Sequence, residues 1–480
     1  MRHRILDVGI VLLAGLVRVC GLGTQSLWMD EAFSHLFATL PLGLAWQAMI
    51  VDAVHPPLYY LLLRPWVTLV GDSEFALRFP SALAGVLTVA LLLRAGRDWL
   101  GERAAGWAAL LLALNPLHVW YSREARMYAL LGLSSLAVLA AFWRVLRRRR
   151  RGDWVILGVL SALAYVTHYF ALYLPVIEFV FLLATFRRYH QALARWAVMQ
   201  ALAVLPLAGW LAALYTIAGG AFGIGWVPSP RPVDPLLTLW SFGMAYDGRL
   251  TLWVVAGLVV WCGLLVMGMW RGSVTKDVKL FLLLSLALPP LVTLFLSLRR
   301  PTYVDRFFVG SLPIFVALAT VGMARLPRPA RCAVGLALAS LGVWGVARFH
   351  LDPVFAKEDW RGAARHVEVR EQVGDVLALR HFQYVVPFRY YYRGALEPEA
   401  VTLNQVTTPP EELVAGHERL WLVFRARHDD PHHLAWSGPF DPGLDEADSA
   451  VREWIAAHWP EETVAYSGVS VMLFDLEEDP

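Results

Sequence analysis

The chain has 480 residues, of which 58% are hydrophobic and only 17% charged, and its formal net charge is +3. Globular chains run nearer a quarter charged, so these values exclude an ordinary soluble domain, and so small an excess of charge gives no ground for nucleic-acid binding. Its three cysteines, Cys20, Cys262 and Cys332, each stand in an apolar run without metal-ligand spacing, which argues against both a disulfide framework and a cysteine-based zinc site.

The first apolar run covers 5–23. It has a basic start, Met1-Arg2-His3-Arg4, but no small-x-small cleavage site, and Arg18 interrupts it, so it reads as an uncleaved signal-anchor helix. Immediately after it comes Thr24-Gln25-Ser26-Leu27-Trp28-Met29-Asp30-Glu31-Ala32-Phe33-Ser34-His35. Trp28 is the kind of ring that sits at headgroup depth. Two adjacent carboxylates at a membrane–water boundary cost desolvation energy unless they are used there; the plainer reading is a solvated loop that ends the span. Pro57 to Gly71 is apolar but short and holds Arg64 and Pro65, so it reads as a re-entrant or surface-lying helix.

Further spans read as 75–93, 104–120, 127–146, 154–170, 171–186, 196–218, 250–270, 280–298, 307–324 and 331–348, about eleven transmembrane helices with the first. The run 154–186 is divided at Thr167-His168-Tyr169 into a tight hairpin. Placing the N-terminus and every second loop in the cytoplasm puts 20 Lys and Arg there against 8 on the other side, an asymmetry that orients the chain. The arginine run 147–151 is then a stop-transfer flank. After residue 350 the composition changes. Helical segments at 357–370, 383–392, 409–416 and 448–459 alternate with strand-like runs at 375–379, 401–403, 420–424 and 470–474, which predicts a small α/β domain outside the cytoplasm. The domains divide as 1–349 and 350–480.

On this topology the outer loops carry Asp30 and Glu31, Asp52, His55-Pro56-Pro57, Ser122-Arg123-Glu124-Ala125-Arg126-Met127-Tyr128 and Arg299-Arg300-Pro301-Thr302-Tyr303-Val304-Asp305-Arg306. Arginines on the side that the charge rule disfavours need a reason, and a guanidinium fork matches phosphate oxygens. A carboxylate beside such forks suits a general base on a hydroxyl that attacks a phosphate-activated carbon. The plainer readings are a salt bridge for Arg123 and Glu124 and interfacial snorkelling for Arg299 and Arg300.

These residues, in this order, resemble the bacterial GT-C glycosyltransferases of family 39, a group related to protein O-mannosyltransferases and aminoarabinose transferases. The resemblance rests on Trp28-x-Asp30-Glu31, His55-Pro56-Pro57-Leu58-Tyr59-Tyr60, Glu74-Phe75-Ala76-Leu77-Arg78-Phe79-Pro80 and Ser122 to Tyr128, with Arg306-Phe307-Phe308 and Asp359-Trp360-Arg361-Gly362 further on. It is densest over 24–130 and thin after about 370. It implies transfer of a sugar from a polyprenyl-phosphate carrier to a lipid, glycan or protein acceptor on the outer face of the inner (plasma) membrane. The essential first-loop acid falls on Asp30, with Glu31 its neighbour. The residue before Pro-Pro, a lysine on the carrier phosphate in aminoarabinose transferases, is here His55, so the phosphate grip leans more on arginine. The candidate binding residues are His55, Arg123, Glu124, Arg126, Tyr128, Arg299, Arg300, Tyr303 and Arg306. No carboxylate–histidine cluster has convincing ligand spacing, so no obligatory metal or other cofactor is expected. A flippase for lipid-linked sugars shares the outer arginines, but it also calls for ionisable mid-membrane residues and an internal repeat. Arg18 and His168 are candidates for the former, and no clear repeat is present. A structural scaffold leaves the first loop unexplained.

Overall fold

The computed structural model describes residues 2–219, 227–245, 251–271, 274–403, 406–408, 410–425, 453–455 and 457–476, and the statements below concern those residues. The chain begins with helices α1 (Arg2–Val19), α2 (Met29–Thr39), α3 (Leu42–Asp52), α4 (Leu58–Val70) and α5 (Glu74–Leu100). Next come α6 (Glu102–Ala113), α7 (Pro116–Ser122), α8 (Tyr128–Arg148) and α9 (Arg151–Tyr165). Seven helical segments are long and apolar enough to cross a bilayer: Glu74–Leu100, Tyr128–Arg148, Phe186–Ala218, Leu252–Trp270, Lys276–Ser297, Asp305–Met323 and Arg328–Leu351. Many apolar side chains on these helices point out of the protein, among them Trp253, Val259, Leu291 and Phe295, as surfaces bathed in lipid require. α4 has 13 residues. At about 1.5 Å per residue it falls short of a hydrocarbon core of about 30 Å.

Two expected spans are broken where local chemistry demands it. The 104–120 run is interrupted between α6 and α7, because Pro116 cannot donate to a continuing helix. Asn115 restarts the chain there by accepting from the His118 N–H at 2.9 Å. The 307–324 run begins as a 3-10 turn, Asp305–Ser311, before Leu312–Met323. Close helix packing depends on missing side chains at two points. A Cβ at Gly322 would lie 2.0 Å from the Leu264 carbonyl oxygen, and one at Gly85 would lie 2.1 Å from Ser122 Oγ and 2.8 Å from Arg18 Nε. Alanine at either position would force packed helices apart.

The C-terminal sheet has strands β1 (Val376–His381), β2 (Pro398–Leu403), β3 (Val406–Thr407), β4 (Arg419–Arg425), β5 (Glu462–Tyr466) and β6 (Val469–Asp475), in the order β3-β2-β1-β4-β6-β5. β1 runs parallel to β2 and β4, and the other pairs are antiparallel. Side chains of β1 alternate between two small cores. Leu377 and Leu379 pack with Trp360, Val367, Phe388 and Trp421, while Val376 and Ala378 pack with Leu420, Trp454 and Phe474. Four strand-like runs of the sequence are thus real, and β3 and β5 add two edges. The expected helix 448–459 falls largely outside the described residues.

Candidate active site

The site is built on the first turn of α2. Trp28 is its N-cap, and Asp30 and Glu31 follow in the first turn, where the positive end of the helix favours carboxylates. Adjacent in sequence, these two acids lead different lives.

Glu31 is fully buried. Arg78 of α5 grips it with Nε to Oε1 at 2.8 Å and Nη2 to Oε2 at 2.7 Å. The Ala125 N–H donates to Oε1 at 2.9 Å, and Lys357 Nζ stands 3.0 Å from Oε2. Burial alone would raise this carboxyl, but the charges of Arg78 and Lys357 with these hydrogen bonds outweigh it and hold Glu31 at about 2. The remaining Arg78 donors go to the carbonyls of Leu22, Gln25 and Ser26. One ion pair therefore ties together the loop after α1, α2, α5 and the segment before α8.

Asp30 stays partly open, its side chain 20% exposed, with Arg126 Nη2 3.7 Å from Oδ2. Arg126 also donates from Nη1 to the Asp30 carbonyl at 3.2 Å and to the Tyr60 hydroxyl at 3.3 Å. Asp52, at the end of α3, is pushed up to about 6 by burial, against the pull of Arg126. The His55 ring lies 4.9 Å from that of His168 and 6.2 Å from that of Tyr128, centre to centre. Burial first, then Arg126, His168 and Arg306, hold His55 well below the ordinary histidine range, so it is neutral. The Arg306 guanidinium sits over the Tyr128 ring at 5.6 Å. Glu124 is buried near Lys357, Glu31, Arg306 and Asp30, and burial raises its carboxyl well above the usual range.

Among the buried polar atoms of this cluster without a protein hydrogen-bond partner are His55 Nδ1, His168 Nε2, Tyr128 Oη, Glu124 Oε2 and Arg126 Nε. Each such atom costs on the order of 1–3 kcal/mol. So many in one cluster suits a polar ligand or ordered water. Residues from the two helices Trp360–Arg370 and Phe382–Tyr391 close over the first loop. Tyr391 Oη accepts from the Leu27 N–H at 2.7 Å, Tyr390 Oη donates to the Asp72 carbonyl at 2.7 Å, and Arg361 pairs with Glu74 at 2.5 Å.

The structure brings Asp30, His55, Glu124, Arg126, Tyr128 and Arg306 together, and it uses the other candidates differently. Arg123 is spent on the end of α1, donating to the carbonyls of Val17, Cys20 and Gly21 at 3.3, 2.5 and 2.9 Å. The Val17 and Cys20 carbonyls lie at the helix end, where a guanidinium supplies donors, and the Gly21 carbonyl also accepts from Thr24 Oγ1 at 2.9 Å. Arg299 and Arg300 are exposed beyond Lys276–Ser297, and Tyr303 is hydrogen-bonded to Thr238 at 2.8 Å. Arg18 bridges α1, α6 and α7 through the carbonyls of Ala14 and Ala113, Ser122 Oγ and His118 Nδ1. It is a packing element where these three helices meet. Sequence reasoning missed Lys357, His168 and the role of Arg78. Arg78 lies in one of the resembling motifs, and His168 stands out in the sequence as a polar break in an apolar run and as an ionisable mid-membrane residue, without a signal for a role in the site. No local signal marks Lys357, which reaches Glu31 from the far side of the chain.

The helical membrane body with its small mixed sheet shares its fold with solved structures of ArnT and AglB. Residues 54–223, less than half of the chain, match the family of dolichyl-phosphate-mannose-protein mannosyltransferases. A comparison with curated proteins finds no match. Among solved structures, the chain is similar to ArnT from Cupriavidus metallidurans bound to undecaprenyl phosphate, with 15% identity, 97% of each chain covered and a TM-score of 0.62. It is also similar to the oligosaccharyltransferase AglB from Archaeoglobus fulgidus in complex with an inhibitory peptide and a dolichol-phosphate. There the identity is 13% and the TM-score 0.56, with all of this chain and 75% of AglB covered.

Proposed function

We propose that this chain is an integral-membrane glycosyltransferase that moves a sugar from a polyprenyl-phosphate carrier to an acceptor hydroxyl on the extracytoplasmic face. The observation that carries this reading is the pairing of a partly open carboxylate, Asp30, with Arg126 within a cluster of unsatisfied polar atoms. The family match over 54–223 and the lipid phosphates bound by ArnT and AglB support it. The acceptor oxygen attacks the anomeric carbon as the bond from that carbon to the phosphate oxygen breaks. Asp30 takes the hydroxyl proton, and Arg126 and Arg306 stabilise the charge that grows on the departing phosphate. One displacement inverts the anomeric centre. A monophosphate leaving group needs only this much positive charge, so the proposal includes no obligatory metal.

Two measurements check the parts. Arg126→Gln should weaken binding of a polyprenyl monophosphate by about 1.5–3 kcal/mol, the worth of a charge-assisted hydrogen bond. Arg126→Lys should recover only part of that, because it keeps the charge and loses the fork. Equal affinities for all three proteins, once their melting temperatures are matched, would remove Arg126 from the phosphate site. The orientation rests on the 20-to-8 charge asymmetry. A reporter that is active only outside the cytoplasm, fused after Pro480, should be active. An inactive fusion with normal expression would invert the topology and move the site to the wrong face.

A further inference from the structure

His168 lies between the end of α9 at Tyr165 and a 3-10 turn, Tyr169–Leu172. The Phe170 N–H donates to its Nδ1 at 3.1 Å. A ring nitrogen that accepts carries a lone pair, so the imidazole is neutral and its single proton sits on Nε2. That Nε2–H is buried in a residue only 1% exposed, and it has no acceptor within the protein. The backbone thus fixes the tautomer and leaves a donor facing the cluster without a partner.

The surroundings say what acceptor fits. The ring packs among His55 at 4.9 Å, Phe307 at 5.0 Å, Phe170 at 5.5 Å and Tyr128 at 6.1 Å. Three of these walls are aromatic and largely apolar, which suits the junction between a lipid chain and its headgroup better than a sugar rich in hydroxyls. Arg126 and Arg306 both act electrostatically on His168 and on His55. The cations favour an anion, and the orphaned N–H favours an oxygen acceptor.

We propose that His168 is a binding residue of the carrier site, donating from Nε2–H to an oxygen of the lipid phosphate that Arg126 and Arg306 neutralise. This rests on the functional reading above and extends it to a residue on a different helical hairpin. The companion ring, His55, lies 4.9 Å away and has an unpartnered Nδ1 of its own. Two neutral imidazoles then replace what one fixed cation would do, and hold the phosphate without adding to the crowded positive charge of the pocket.

The test uses the full chain in nanodiscs, with a short polyprenyl monophosphate and the matching polyprenol as probes. The wild type should bind the phosphate form far better than the alcohol. His168→Phe keeps the aromatic packing and removes the donor, so that preference should fall on the order of ten-fold, as for the loss of one hydrogen bond to a charged group. His168→Gln restores an N–H donor and should keep most of the preference. If His168→Phe does not fold, His168→Asn takes its place: its shorter reach should cost affinity that glutamine does not. A wild type with no preference for phosphate over alcohol overturns the carrier-binding reading itself. A wild type with the preference and a His168→Phe variant that retains it overturns the role of His168 alone. Phe and Gln variants that melt early and lose alcohol and phosphate binding alike would make His168 a packing residue, which also overturns the inference.

Discussion

Asp30→Asn should leave the fold and the binding of polyprenyl phosphate close to wild type and reduce turnover by about 10²-fold or more. The substitution keeps the size of the side chain and its place in the first turn of α2. It removes the oxygen charge that receives the acceptor proton. Asp30 suits this role because its environment leaves it partly open while its neighbours are sealed: the Asp30 side chain is 20% exposed and Glu31 is wholly buried. The Arg126 fork at 3.7 Å is near enough to orient the carboxylate and does not enclose it. Steady-state turnover measured beside carrier affinity decides the matter. Near-normal turnover in Asp30→Asn would show that the base lies elsewhere.

The largest effect on stability should come from the adjacent residue. Glu31→Gln leaves Arg78 and Lys357 buried against a neutral amide, and breaking a buried pair in this way costs about 3–5 kcal/mol. The fall in melting temperature should exceed that of Asp30→Asn. The pH dependence has a definite sign. The folded-state carboxyl of Glu31 is held down at about 2, below its ordinary value of 4.5. Its stabilisation is therefore fully present above about pH 4.5 and is lost as the pH falls through about 2. Acid unfolding of the wild type should show this contribution, and Glu31→Gln should lack it. A Glu31→Gln protein as stable as wild type, but inactive, would return Glu31 to direct chemistry.

The contrast between these acids marks the limit of what could be read from residues alone. Their place beyond the first span, and the clustering of arginine on the disfavoured side, pointed to Asp30, Arg126 and Arg306 without any coordinates. The division of labour within Asp30-Glu31 did not show, because it depends on Arg78 reaching from α5 and Lys357 from beyond the last span. Arg123 and Arg126, three residues apart, are equal candidates for a phosphate contact in the sequence. What separates them is the end of α1, whose carbonyls at Val17, Cys20 and Gly21 stand within reach of Arg123 only after α1 and α7 have packed. His168 reads as a polar interruption until α9 ends at Tyr165 and turns the ring toward His55. Seven of the eleven expected spans stand, among the described residues, as helices long and apolar enough to cross a bilayer, whereas 5–23, 104–120, 154–170 and 171–186 do not. The break at Asn115-Pro116 was equally visible in its residues and was passed over in favour of one continuous run. In the sheet, β1, β4 and β6 announced themselves by buried apolar runs. β5, with alternate residues exposed, and the two-residue β3 did not.

The most direct test of the central claim follows the carrier. Purified protein in nanodiscs is given labelled polyprenyl-phosphate mannose, glucose, arabinose and aminoarabinose in turn, with a cell-envelope extract as acceptor, and release of free polyprenyl phosphate is measured together with label in the acceptor fraction. The account predicts that at least one donor is consumed by the wild type, with its sugar appearing on the acceptor, and that Asp30→Asn binds that donor without consuming it. Equal release by wild type and Asp30→Asn, or a wild type that binds these donors and transfers none, would contradict it.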